Sequence, residues 1–171
     1  MKNLSILLIC LLTGFFWGKI NKPLIEKNHK ITIIKVAKNF SLEPEFIKAI
    51  ILTESSGNPE AISRKGALGF MQLMPDTANE LSNKLDQKEK DWKIPENNII
   101  LGCYYLHILL RRFRGDLIAT LASYNAGPTR VNEWLNKYDT LSSKDIVNIK
   151  GSNETRTFVR RVMKRYTDSK E

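Results

Sequence analysis

Two cysteines and two histidines, Cys10, Cys103, His29 and His107, are all the sulfur and imidazole metal ligands that the chain offers. Cys10 lies in an apolar N-terminal run, so removal of that run leaves Cys103 unpartnered and no intrachain disulfide is expected. A zinc site built from His and Cys is excluded by the same scarcity, and no cofactor is expected. The nine glycines are scattered and form no phosphate-cradling loop. No segment repeats. Acid is in deficit: 18 Asp and Glu stand against 27 Lys and Arg, a formal net charge of +9. That surplus suits a membrane surface, an acidic polymer or nucleic acid, and equally an ordinary solvated surface.

Only one long hydrophobic run is present. It extends from Leu4 to Gly18, with Lys2 as the sole charge before Lys19. A basic start followed by such a run reads as a secretory signal, and it is short for a membrane span of roughly 20 apolar residues. An A-x-A cleavage site is missing, since Gly14 and Gly18 are the small residues on offer. An uncleaved membrane anchor is therefore the alternative fate of residues 1–18. Ile9 is too bulky to make Cys10 a good lipoprotein site. Either fate implies export to the periplasm or cell envelope, which conflicts with nucleic-acid binding. A 171-residue chain that is 42% hydrophobic and 26% charged suffices for one globular domain. The expected division is a signal or anchor over 1–18, a polar linker with Pro23 over 19–29, a folded domain over 30–167 and a tail over 168–171.

Periodicity in the domain is helical almost throughout. Ile31, Ile34 and Ala37 predict a first short helix that ends near Asn39. Glu43-Pro44 reads as a cap with proline at the first helical position, opening a helix that ends at Glu54 or Ser55 before Ser56-Gly57-Asn58-Pro59. A loop through Arg64-Lys65-Gly66 leads to a helix opened by Pro75-Asp76. Lys84 to Lys93 reads as a charged connection, and Pro95 or Asn98 to Phe113 as a long apolar helix. Asp116 is expected to cap a helix through Asn125, and Val131, Trp134 and Leu135 to mark another. Ser142 to Ser152 reads as a polar loop, with Asn153 capping a final helix whose buried stripe holds Thr155, Val159, Val162, Met163 and Tyr166. The expected fold is all-α, without strands.

One residue breaks the segregation of polar from apolar. At about 100° per residue, Phe46, Ile47, Ile50 and Ile51 form a single stripe, and Glu54 falls near its middle. A carboxyl placed there loses water on folding and holds its proton more tightly. An acid that stays protonated near neutral pH can protonate a leaving group. The competing role is a helix-terminal glutamate curled outward into solvent.

The blocks around Glu54 favour the first role. Glu54-Ser55 is followed by Gly69-Phe70-Met71-Gln72-Leu73-Met74-Pro75, by Ser123-Tyr124-Asn125-Ala126-Gly127, and by Glu154-Thr155-Arg156-x-Phe158-Val159. In this order, and with Asn98-Ile99, Gly102 and Tyr105-Leu106 between them, they resemble the soluble-type lytic transglycosylases. The resemblance spans Lys30 to Tyr166. It implies a single lysozyme-like domain of the goose type that cuts the glycan strands of peptidoglycan between N-acetylmuramic acid and N-acetylglucosamine. It also implies that Glu54 is the single catalytic acid and base. The substrate's N-acetyl group would take the part of a second carboxylate, and a 1,6-anhydro end would form in place of hydrolysis.

Further roles follow from the same resemblance. Ser55 would bond Glu54 or substrate, or simply end its helix. Met71 and Gln72 would line the cleft, with core filling as the other role for Met71. Tyr124 and Asn125 would stand near the acid, with Asn125 offered to an N-acetyl group. Glu154 would line the cleft or act as a helix N-terminal carboxylate. Asp76 and Glu60 are further carboxylates at helix starts or turns, and His107 reads as a packed or rim histidine. Phe70 stands where the family commonly has a smaller aliphatic residue, and Phe158 replaces its usual tyrosine. Two alternatives are a hydrolytic muramidase using Glu154 as second carboxylate, and a non-catalytic peptidoglycan-binding assembly component. Small members of the family often open the wall for a secretion, pilus or conjugation machine.

Overall fold

A computed structural model of the protein describes residues 25, 27–86 and 91–171; the apolar run and most of the linker lie outside them. Eight helices are described: α1 (Lys27–Phe40), α2 (Pro44–Glu54), α3 (Pro75–Lys84), α4 (Pro95–Arg112), α5 (Leu117–Ala126), α6 (Pro128–Lys137), α7 (Ser143–Lys150) and α8 (Asn153–Asp168). Four of them, α2, α3, α4 and α6, begin on proline. Its fixed φ and missing N–H suit a first helical position, so these prolines set where each preceding loop stops. No strand occurs among the described residues, only isolated bridges pairing Ile62 with Leu68 and Leu68 with Leu73 in the α2–α3 loop.

The long helix α4 packs on α1, α3 and α5, while α8 packs on α2, α5 and α7. Ile47, Ile50 and Ile51 from α2, Ile99 and Leu106 from α4, Leu121 from α5 and Val162 from α8 are all fully buried in one core. The ends of α2 and α8 are also tied together. The Phe46 and Tyr166 rings meet edge to face at 5.2 Å, and the Tyr166 hydroxyl donates to Glu43 Oε1 at 2.6 Å.

The expected caps hold at Asp116, whose carboxylate accepts from the Ala119 N–H at 2.9 Å. Elsewhere the boundaries shift. Residues 142–152 are not a polar loop: α7 fills most of them, started by Ser142 Oγ accepting from the Asp145 N–H at 3.2 Å. The last helix is capped by Ser152, which accepts from the Thr155 N–H at 3.1 Å, one residue before the expected Asn153. At the margins, α1 begins inside the supposed linker at Lys27, and α8 reaches Asp168 in the supposed tail.

What positions the site is the way α4 holds the α2–α3 loop. Asn98 is fully buried, and its side chain accepts from the Met71 N–H at 2.9 Å and donates to the Leu68 carbonyl at 3.1 Å. The approach is too close for side chains on either strand of the contact. A Cβ on Gly69 (φ +78°) would lie 2.7 Å from the Asn98 amide, and one on Gly102 would lie 2.3 Å from Met71 Sδ. Both glycines are therefore spacers between loop and helix.

Candidate active site

Glu54 is the last residue of α2, and it ends there because Ser56 (φ +55°) and Gly57 (φ +77°) turn the chain through the left-handed region. The sequence stripe holds: Glu54 is half-buried against the apolar wall and opens into a cleft of about 380 Å³. Burial, and secondarily the charge of Glu154, push its carboxyl up to about 8. No cation pairs with Glu54 among the described residues, so nothing local pulls that value back. This is the proton-holding acid that the pattern predicted.

The blocks that are far apart in sequence converge on it. Tyr124 and Asn125, from the end of α5, Gln72 from the loop and Glu154 from the first turn of α8 line the same cleft. The Tyr124 hydroxyl donates to the Met71 carbonyl at 2.7 Å, and burial beside Glu54 raises its pKa well above the ordinary phenol value. Its ring stacks on Phe158 at 6.3 Å, so the phenylalanine packs behind the tyrosine and does not line the cleft. Asn125 Oδ1 accepts from Thr155 Oγ1 at 2.8 Å, which turns the amide so that its NH₂ is the side left for a ligand. Gln72 occupies the left-handed region at φ +47° and spends its own NH₂ on the carbonyls of Ala61 and Gly69, both at 3.0 Å. Its oxygen is thereby fixed on the opposite side, an accepting group held by a strained backbone.

Two of the anticipated site residues are placed elsewhere. Met71 is fully buried under α4 and contributes its backbone to the site, while its side chain fills the core. Ser55 is buried with its hydroxyl donated to the Ile51 carbonyl at 3.0 Å, the behaviour of a helix-ending serine. Glu60 and Asp76 line no part of the cleft. His107 packs on α1, with Nδ1 at 3.0 Å from the Phe40 carbonyl. Phe70 is buried edge-on against His29 at 4.8 Å.

Glu154 does reach the cleft, but not as a bare carboxylate. Its Oε2 accepts from Lys65 Nζ at 3.0 Å, an exposed pair that joins the loop to α8. Lys65, with Arg64, Ser63 and Met74, was missed by sequence reasoning as part of the cleft wall. The signal available was the basic pair Arg64-Lys65 shortly before the Gly69 block. No group of three or more His, Cys, Asp or Glu suited to a metal comes together among the described residues. Chemically, the cleft offers one protonated acid in an apolar wall, an amide donor, an amide acceptor and a rim carboxylate balanced by a lysine.

Comparison with known proteins agrees with this fold. Residues 31–147 match the Transglycosylase SLT domain family model. Membrane-bound lytic murein transglycosylase C of Yersinia pestis is 39% identical over 105 residues, covering 54% of this chain and 29% of that one. An inactive mutant of the lytic transglycosylase Slt from Pseudomonas aeruginosa superposes with a TM-score of 0.74 at 34% identity, covering 83% of this chain and 24% of that one. The 70 kDa soluble lytic transglycosylase of Escherichia coli gives a TM-score of 0.76 at 27% identity, over 91% of this chain and 26% of that one. This chain thus spans a minor part of such relatives, 17% and 42% of the length of two further curated ones. The chain, a helical domain with a half-buried glutamate in its cleft, is matched over residues 31–147 by the family model and belongs to the transglycosylase SLT domain family.

Proposed function

We propose that the domain is a lytic transglycosylase that cleaves the N-acetylmuramic acid–N-acetylglucosamine bond of peptidoglycan, leaving a 1,6-anhydro end. The observation that carries this reading is the half-buried Glu54 carboxyl, held up to about 8 in a cleft of about 380 Å³ that Gln72, Tyr124, Asn125 and Glu154 also line. Glu54 gives its proton to the glycosidic oxygen as the bond from that oxygen to the muramic C1 breaks. The N-acetyl group of the same sugar supports the cationic C1, and Asn125 offers its NH₂ to that group. The Glu54 carboxylate then takes the proton of the muramic C6 hydroxyl as O6 bonds to C1. Acid and base are the same residue, and no water is consumed. Tyr124 and Gln72 hold the walls and the sugar hydroxyls, and Glu154 sustains the acid's high pKa from the rim.

A hydrolytic muramidase needs a second carboxylate to activate water. Glu154 is the one that reaches the cleft, and its pairing with Lys65 favours a rim role. A non-catalytic scaffold has less support still, because a buried acid is costly to keep without a use. The exported setting, in the periplasm or envelope with the N-terminal segment as signal or membrane anchor, belongs to the same proposal. So does local wall opening around a secretion, pilus or conjugation machine. Neither nucleic acid nor a cofactor enters it.

Purified protein incubated with peptidoglycan sacculi, beside Glu54→Gln, tests the reading by mass spectrometry of released fragments. Anhydro-muropeptides are expected from the parent alone. Reducing-end products heavier by one water would replace it with the muramidase, and binding without release would replace it with the scaffold.

A further inference from the structure

A second recess lies on the side of α8 that faces away from the acid. Its volume is about 510 Å³, within the roughly 300–1,000 Å³ typical of ligand pockets, and it shares no lining residue with the cleft. The floor is apolar: Ile118 of α5, Val147 of α7, and Val159 and Met163 of α8. The rim is basic. Arg156 is occupied with the Gly151 carbonyl and Asn153 at the junction of α7 and α8. Lys144 and Arg160 are exposed, stand on two different helices, and make no ion pair among the described residues. No carboxylate lines the recess.

From this juxtaposition we infer that the α5–α7–α8 recess is a docking site for an acidic amphipathic segment of a partner protein. One apolar side chain of the segment fills the recess, and its carboxylates meet Lys144 and Arg160. Charge complementarity selects an anionic occupant: two cations without an ion pair among the described residues, on a chain of net charge +9, with no carboxylate in the lining and the neighbouring Asp145 bonded to Ser142. Shape then selects a peptide over a lipid surface. Membrane-binding faces present protruding apolar side chains to the bilayer, whereas here the apolar atoms are recessed behind charged ones and a projecting side chain is needed to reach them. The same helix carries Glu154 and Thr155 on its cleft side, so an occupant of the recess sits one helix thickness from the catalytic acid's neighbours.

The test uses a fluorescein-labelled helical peptide of Glu, Ala and Leu, with leucines spaced to form one stripe. It is compared with a version whose leucines are serine and with phosphatidylglycerol vesicles. Saturable binding of the Leu peptide is expected, with methyl NMR shifts confined to Ile118, Val147, Val159 and Met163. Lys144→Glu with Arg160→Glu should weaken it at least about tenfold, while cleavage of a short soluble glycan, which does not depend on surface binding to the sacculus, and the thermal midpoint stay at parental values. Equal binding of the serine peptide would overturn the inference in favour of plain charge attraction. Binding to vesicles with no peptide binding at millimolar concentration would overturn it in favour of a membrane face, and no binding to either would overturn it outright.

Discussion

Glu54 links stability to pH in a direction opposite to most carboxylates. Its proton is released near 4.5 in an exposed setting and near 8 in the fold. Between those values the native state holds a proton that the unfolded chain has lost, so stability falls as pH rises through that window and levels off above it. Glu54→Gln removes the slope. Urea denaturation at several pH values should therefore show the variant gaining on the parent from about pH 4.5 upward, by on the order of 2–4 kcal/mol at pH 8 and above. The proposed catalysis predicts the same dependence: kcat/KM on soluble glycan should drop as pH rises through about 8, when the acid is lost. Glu154 raises the Glu54 pKa, so Glu154→Gln should move that alkaline limb to lower pH, and an unmoved limb would deny Glu154 its electrostatic part. Glu54 was legible in the sequence because a helix period alone puts it on the buried stripe. Lys65 was not, because its partner lies 89 residues away and only the fold brings the two together.

At the scale of elements, the loop before α3 owes its shape to α4. Asn98→Ala leaves the Met71 N–H and the Leu68 carbonyl without their side-chain partner, a loss expected to cost about 2–3 kcal/mol. Gly102→Ala puts a methyl into Met71 Sδ, and about 1–3 kcal/mol of overpacking should follow. Both variants should lose glycan-cleaving activity beyond their loss of folded protein, because Tyr124 and Gln72 are bonded to the displaced segment. Denaturant midpoints set beside turnover per folded molecule would separate the two effects. Proline and the apolar stripes gave away most helices. They failed at α7, a helix of eight residues whose buried side chains are only Ile146 and Val147. Its polar composition looks like a loop, and its start rests on the hydroxyl of Ser142.

Across the whole molecule, the all-α architecture was readable from helix periodicity, whereas the meeting of the sequence blocks in one cleft was implied by the family resemblance and not by the residues themselves. The second recess was not readable. Its floor draws on three helices, and each contributes apolar residues that look in sequence like ordinary core. The charge surplus was plain in composition but its placement was not: Arg160, Arg161, Lys164 and Arg165 form an exposed row along α8, with Lys164 also bonded to Asp168. Sacculus binding should weaken several-fold as salt shortens the screening length from about 30 Å at 0.01 M to about 8 Å at 0.15 M. Pull-down with Glu54→Gln, which binds without cutting, would measure it.

Met71 and Met74, three positions apart, face opposite chemical fates. Met74 is 42% exposed on the cleft wall, while the sulfur of Met71 is sealed against α4. Peroxide should convert the Met74 thioether to its sulfoxide quickly and spare Met71 until the domain opens. The ratio of the two products in a peptide digest then becomes a clock for unfolding, with the cleft wall supplying its own reference.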